Sequence, residues 1–403
     1  MDMRTETTHP WISFRLNLQK ASPKLWQLLG EAKSKCQHLA GVPLKPAIAK
    51  NMHAIYLARG ALATTAIEGN TLSEKEALKV VKGKSNLPKS QKYLAKEIEN
   101  ILTVTNDIMD EVEKRGDKDI SSDDIKKYNG FILDGLAVED HVVPGKYRDC
   151  GIEVSTYIGP TQEDVTKLVE DFCAWMNGQT FKVTSDDPLI NAIIKAIVAH
   201  IYMAWIHPFG DGNGRTSRIL EFRFLMEGGV PSPAAHLLSN HYNKTRTEYY
   251  KRLEGASKNG GDLLPFLGYA IEGFVDELRE QLKDVKKQQW EVAWQNYIHE
   301  VLGDKKNASI QRQLRLLLAL PPNNEYYSKA ELVELSPQIA RLYANKTTKT
   351  LSRDVNNLKK LGLIKIEDGK ISAKAEIILS FLPRSKRGVL PASFEDDAEE
   401  SFK

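Results

Sequence analysis

The chain is poor in the residues that mark several protein classes. It has three cysteines in 403 residues, Cys36, Cys150 and Cys173. Their odd number, wide spacing and lack of any C-x-x-C argue against a disulfide framework or a cysteine zinc site. Reduced thiols in the cytoplasm are expected instead. Met1-Asp2-Met3-Arg4-Thr5-Glu6 has no apolar stretch, so no signal peptide is expected. No uninterrupted apolar run reaches the roughly 18–20 residues of a membrane helix, so no membrane partner is expected. Charge of one sign is also lacking. Lys+Arg number 56 against 53 Asp+Glu, and a net +3 gives no overall field toward nucleic acid or anionic lipid. What is present is ordinary globular usage, 41% hydrophobic and 27% charged, which excludes wholesale disorder and fibres. The length suggests about two or three domains.

Helical periodicity dominates. Ala47–Ala66 is rich in Ala, Leu and Ile and stops at Glu68-Gly69-Asn70. Thr71-Leu72-Ser73-Glu74 restarts a helix as a capping box from Thr71 to Glu74. Leu94–Val112, Asp164–Met176 and Phe266–Asp284 read as helices, and Leu189–Ile206 is apolar on nearly every face, as a central bundle helix would be. Val142–Arg148 and Gly151–Val154, two short β-prone runs with Gly and Pro around them, read as a hairpin or flap. A polar run at Lys283–Gln289 reads as a joint. Beyond it, helices at Trp290–Leu302, Ile310–Leu320, Ser328–Leu335, Gln338–Tyr343 and Thr350–Leu361 precede a hairpin turning at Asp368-Gly369. Helices closed by such a hairpin are the pattern of a winged helix. The acidic stretch Glu395–Glu400 marks a disordered tail.

The chemistry concentrates in His207-Pro208-Phe209-Gly210-Asp211-Gly212-Asn213-Gly214-Arg215-Thr216-Ser217-Arg218. Glycines let successive backbone N–H groups converge on an anion, and the following helix adds its dipole. Arg215 and Arg218, three apart, can clamp phosphate oxygens. Asp211 suits Mg²⁺, which takes one or two carboxylates besides substrate phosphates. His207 titrates in the range of a general base. A tight helix–helix turn with solvated arginines would explain the glycines alone, but not the full set of His, Asp, Asn and two Arg. The stretch is neither a Walker A motif nor a dinucleotide fingerprint, since it lacks Gly-Lys-Ser/Thr and a preceding strand.

This stretch resembles the Fic family motif H-x-F-x-[DE]-G-N-G-R-x-x-R at every specified position, and the resemblance covers about residues 50–285. It implies a helical bundle that transfers AMP from ATP to Ser, Thr or Tyr hydroxyls of proteins, itself included. His207 would take the hydroxyl proton, Phe209 anchor the loop, and Asp211 hold Mg²⁺. Gly212, Asn213, Gly214, Arg215 and Arg218 would bind the phosphates. Thr64-Thr65-Ala66-Ile67-Glu68-Gly69 reads bottom-up as a helix end with a solvated acid. Beside the first motif it resembles the family's inhibitory helix, [ST]-x-x-x-E-[GN], with Thr64, Glu68 and Gly69 at the specified positions. Glu68 would then pair with Arg218 and remove the cation that the γ-phosphate needs. In some relatives the same glutamate supports removal of AMP, so de-AMPylation is a second expectation. By resemblance, the hairpin becomes a target-binding flap, with Gly145, Lys146, Tyr147, Ile152 and Val154. Tyr242, Asn243, Tyr249 and Tyr250 become an adenine pocket, although adjacent tyrosines also suit a core. Members often form homo-oligomers. His200, one helical face from His207, reads as a packed residue.

The expected fold class is thus mainly α, a Fic-type bundle with a β-hairpin flap plus a C-terminal winged helix. Residues 1–90 would form the N-terminal helical region, 91–285 the catalytic core, 290–383 the winged helix and 384–403 the tail. Between Ile339 and Leu361 six cations, Arg341, Lys346, Lys349, Arg353, Lys359 and Lys360, face one acid, Asp354. That helix suits a DNA groove or a protein surface equally. The rival function is a DNA-binding regulator whose Fic core senses nucleotide.

Overall fold

A computed structural model describes residues 4–115, 118–154, 157–183, 187–303 and 307–379. The tail expected at 384–403 lies outside them. The chain divides into two compact units, Met1–Leu282 and Lys283–Lys403.

The first unit is helical. It holds α1 (Arg4–Thr8), α2 (Pro23–Gly41), α3 (Pro46–Ala66), α4 (Glu74–Val81), α5 (Lys92–Arg115) and α6 (Ser122–Leu133). After β1 (Glu153–Val154) and β2 (Tyr157–Ile158) come α7 (Gln162–Met176), α8 (Pro188–Ile206), α9 (Asn213–Glu227), α10 (Ser232–Ala235), α11 (Leu237–Lys244) and α12 (Arg246–Lys258). The next helix, α13 (Leu264–Leu302), has its residues up to Leu282 in this unit.

At the centre is α8. The Asp187 carboxylate accepts from the Ile190 N–H at its start, and Pro188 supplies a preset φ in the first turn. Ile193, Ile197 and Ile201 are fully buried, as is most of the helix. By length and composition α8 could cross a membrane, but its surface is spent on the core. It packs along α9, and α5 and α6 flank α9 in turn. The capping box before α4 uses Ser73 and Glu76, not Thr71 and Glu74. The reason is Asn70, whose side chain takes the Leu72 N–H and delays the helix. A second box, Ser121 with Asp124, starts α6.

The expected hairpin is corrected. Glu153–Val154 pairs with Tyr157–Ile158, not with Val142–Arg148. Tyr147 instead bridges to Phe209, and the Arg148 N–H donates to the Pro208 carbonyl at 2.9 Å, so that run is spent on the motif loop.

The polar run Lys283–Gln289 is helix interior within α13, because it contains no Gly or Pro to stop a helix. The division into units falls at its start. The second unit contains α14 (Ala308–Ala319), α15 (Lys329–Glu334), α16 (Pro337–Tyr343) and α17 (Thr348–Lys360). The antiparallel β3 (Ile364–Glu367) and β4 (Lys370–Ala373) turn at Asp368 (φ 48°) and Gly369 (φ 77°). Both residues at positive φ are what a type I′ turn requires. Tyr327 adds a bridge to Ile371. Asp354 is buried, held by Arg312 Nε at 2.6 Å and Tyr343 Oη at 3.0 Å. The single acid of the basic stretch is therefore internal, while its six cations are exposed.

Candidate functional site

The motif is the turn between α8 and α9. His207 ends α8 in the left-handed conformation (φ 49°, ψ 59°), and Gly212 (φ 78°) precedes α9 in the same region. A non-glycine residue held there is strained, and neighbouring groups hold it. The Arg148 guanidinium is buried; its Nε donates to the His207 carbonyl at 2.8 Å and its other nitrogens to the Cys150 and Pro160 carbonyls. The Asn129 amide donates to the Asp211 carbonyl at 3.0 Å and accepts from the Gly145 N–H at 2.9 Å. Phe209 is fully buried.

Asn213 departs from its expected role. Its side chain both accepts from the Phe209 N–H (2.9 Å) and donates to the Phe209 carbonyl (2.8 Å). It stitches the loop shut, and only its main chain is left to meet an anion.

His207 Nδ1 lies 3.2 Å from the Ala204 carbonyl oxygen, which can only accept. The ring proton therefore sits on Nδ1, and Nε2 presents a lone pair. Burial pushes the imidazole down to about 4, against the opposing hydrogen bond to Ala204. The ring is neutral at pH 7, the form a base needs.

The two arginines are buried and acid-bound. Arg218 Nη2 donates to Glu68 Oε1 at 2.6 Å and to the Thr64 carbonyl at 2.9 Å. It is the main-chain carbonyl of Thr64 that meets Arg218; the hydroxyl bonds back to Gly60 within α3. Burial favours the neutral form of Glu68, but the charge of Arg218 and its hydrogen bond outweigh it, with Arg215 and Arg246 adding to them. The carboxyl stays below its usual range. The same pairing raises Arg218 although burial opposes it.

A Cβ on Gly214 would stand 2.3 Å from Glu68 Oε1. The carboxylate thus lies over the first turn of α9, where the helix dipole and open N–H groups favour an anion. Arg215 Nη2 is 3.1 Å from Asp211 Oδ1, and its Nη1 is 3.6 Å from Glu97. Nε of both arginines is a buried donor without a partner among the described residues. Two cations with spare donors beside a helix N-terminus can take several phosphate oxygens.

The Asp211 side chain is 46% exposed, and its Oδ1 accepts from the Gly212 N–H and from Arg215 Nη2. One such carboxylate with phosphate oxygens matches what Mg²⁺ usually takes, so the residues fit the ion.

Glu68, His207 and Gly214 line one cavity of about 540 Å³ with Val154, Tyr157, Ala204, Trp205, Tyr249, Tyr250, Leu253, Glu254 and Ser257. Of the four residues assigned to an adenine pocket, Tyr249 and Tyr250 line it. Tyr242 does not: it is fully buried, and its hydroxyl donates to Glu221 at 2.8 Å. Asn243 is not on the wall either. His200 is internal, 2.8 Å from the Tyr249 hydroxyl and 3.1 Å from Glu221.

Of the flap residues, Val154 reaches the cavity. Ile152 accepts from the Gly159 N–H, Lys146 is exposed, Gly145 is tied to Asn129, and Tyr147 packs its ring on Phe209. Sequence reasoning missed Arg148, Asn129, Tyr157 and Glu97. In the sequence Arg148 is only the end of a β-prone run, and the other three carry no local signal.

Known proteins resemble the chain in sequence and in fold. The Fic/DOC family model matches residues 119–225. A "Protein adenylyltransferase Fic" from Nematostella vectensis is 28% identical over 66% of the chain and 59% of its own length. A "Protein adenylyltransferase fic-1" from Caenorhabditis elegans is 29% identical over 52% of the chain and 38% of its own. The chain therefore spans less than two thirds of the length of each of these relatives. Two solved structures share the fold: a Fic family protein from Desulfovibrio desulfuricans G20 (TM-score 0.53, 20% identity, 93% of this chain and 97% of that one) and Fic-1 from C. elegans (0.54, 22%, 65% and 73%).

Proposed function

We propose, on the match of residues 119–225 to the Fic/DOC family, that the chain is an autoinhibited protein adenylyltransferase. The observation that carries this reading is the Glu68–Arg218 pair at 2.6 Å, with Glu68 lining the same cavity as a neutral His207. With Glu68 withdrawn, the first turn of α9 and Arg218 are left for ATP phosphates, and Arg215 joins them as the phosphates draw it from Asp211 and Glu97. His207 Nε2 accepts the proton of a Ser, Thr or Tyr hydroxyl on a protein. The hydroxyl oxygen bonds to the α-phosphorus, the bond to the bridging oxygen breaks, and pyrophosphate leaves. Mg²⁺ at Asp211 would neutralise phosphate charge. Tyr249 and Tyr250 provide ring faces for adenine, and Val154 on β1 lies where an extended target can add to the strand edge.

Full-length chain with α-labelled ATP and Mg²⁺ tests this. Glu68→Gly should label itself strongly, and Glu68→Gly with His207→Ala should not. No label from the Glu68→Gly chain on itself or on a lysate would refute the reading. Glu68 also faces the cavity, which supports a second activity, removal of AMP with Glu68 orienting water. Loss of label on adding unmodified enzyme would show it. The rival reading, a regulator that only senses nucleotide, is not favoured by relatives named as adenylyltransferases.

For the second unit we read a winged helix. Support comes from the helices closed by the β3–β4 hairpin, with the exposed cations of and beside α17 suited to DNA. Binding that weakens steeply with salt and depends on sequence would support DNA as a partner. Three unpaired cysteines support a cytoplasmic location.

A further inference from the structure

The turn that carries Glu68 is not held by α3 alone. The helix ends at Ala66, and the chain reverses through Gly69 at φ 108°. What secures the reversal is Asn70, a buried amide with every polar atom engaged. Its Nδ2 donates to the Leu94 carbonyl at 2.9 Å and to Glu97 Oε2 at 2.8 Å, and its Oδ1 accepts from the Leu72 N–H at 3.1 Å. Both Leu94 and Glu97 lie in the first turns of α5. The other oxygen of Glu97 faces Arg215 Nη1 at 3.6 Å. One carboxylate thus stands between the turn of Glu68 and a phosphate-binding arginine.

Resting on the adenylyltransferase reading, we propose that Glu97 is a positioning residue that joins the inhibitory turn to Arg215, with Asn70 as its mooring. Glu68, Glu97 and Asp211 crowd three carboxylates around Arg215 and Arg218. A triphosphate entering this site competes with all three. When it draws Arg215 away, Glu97 loses a counter-cation and Asn70 loses an ordered acceptor, so the turn loosens. Conversely, a moored Asn70 fixes Glu97, and Glu97 keeps Arg215 from the phosphates. Binding and inhibition then oppose each other by linkage, with Arg215 as the shared group. Burial lifts the Glu97 carboxyl above its usual range, with Asp211 and Glu68 adding to the rise and the Asn70 hydrogen bond and the Arg215 charge opposing it.

The test uses the full chain with Asn70→Ala and, separately, Glu97→Gln, which leaves one acceptor where there were two. Amide hydrogen exchange reads the turn without any need for activity. Exchange at 64–72 should quicken about tenfold or more in both variants, while Leu189–Ile206 in the core stays as in the parent. Unchanged exchange at 64–72 would overturn the proposal. So would an equal rise through Leu189–Ile206, which would mean a general packing role. Labelling with α-labelled ATP then reads the consequence. Asn70→Ala should raise it several-fold in the chain with Glu68 intact, and less than about twofold when added to Glu68→Gly. If Glu68→Gly labels and Asn70→Ala does not, the mooring is not inhibitory and the proposal fails. If Glu68→Gly itself does not label, the adenylyltransferase reading fails, and exchange alone decides whether the mooring exists.

Discussion

Removing Glu68 should cost stability as well as release activity, and the size of that cost follows from the site. Arg218 is 2% exposed, and its polar partners are Glu68 and the Thr64 carbonyl. Truncating one member of a fully buried pair typically costs about 3–5 kcal/mol, because the other charge is left unpaired. Here a third of the Glu68 side chain is exposed, and the cavity it vacates admits water to Arg218. The Thr64 carbonyl also remains. A discounted cost of about 1–3 kcal/mol follows. For a unit of this size that is a fall of roughly 2–5 °C in Tm. Glu68 lies in the turn beyond α3, so the glycine does not weaken the helix interior. Mg-ATP should reverse the effect, since its phosphates replace the lost anion. At about 100 times Kd the ligand adds about 2.7 kcal/mol. Differential scanning fluorimetry of the parent and Glu68→Gly, each with and without Mg-ATP, measures both effects. The expected result is a lower Tm for the variant alone and a larger ATP-induced rise than in the parent. Equal Tm values with equal ATP shifts would refute the reasoning, because Arg218 would then not depend on Glu68.

Four further outcomes separate the parts of the molecule. Gly214→Ala places a Cβ 2.3 Å from Glu68 Oε1 and 3.2 Å from Arg218 Nη1, so it expels Glu68 but also fills the phosphate position; Tm should fall as in Glu68→Gly while labelling stays at the parent level. His207 is held near 4 by burial, so labelling by Glu68→Gly should show no titration near pH 6.5 and should fall only as pH drops through about 4. Stability has its own pH dependence. His207, His236 (about 3) and His241 (about 4) stay neutral in the fold below pH 6.5 while the unfolded chain takes up protons. Urea midpoints should therefore be flat above pH 7 and decline from about 6.5 toward 4. Gly60→Ala would set a Cβ 2.3 Å from the His236 ring, which is buried and stacked on Phe222. Overpacking of this kind costs about 1–3 kcal/mol, and because Gly60 lies in α3 it should also raise basal labelling, measured against the Glu68→Gly chain.

The sequence by itself determined the chemistry-bearing loop and the helices that frame it. An apolar run such as Leu189–Ile206 has one stable place, the centre of a bundle, and the residues that follow it must turn. Gly212 and Gly214 show in sequence where the backbone turns and where an anion can approach. The sequence also placed Glu68 at a helix end. It could not measure a distance, and Glu68 and Arg218 are 150 positions apart. Only packing of α3 against α9 brings them to 2.6 Å.

Other assignments were decided entirely by tertiary contacts. Tyr242 and Tyr249 look alike in sequence, yet Tyr242 spends its hydroxyl on Glu221 inside the core while Tyr249 lines the cavity. Asn213 belongs to the motif, but its amide closes the loop on Phe209. Val142–Arg148 has strand propensity, and the hydrogen bonds that would have made a hairpin go to residues 207–209 instead. Arg148, Asn129, Asn70 and Glu97 act through carbonyls and charges remote in the chain, and no local pattern encodes such partners. Side-chain type and spacing fix what a segment can do chemically; which donor meets which acceptor depends on how the helices pack.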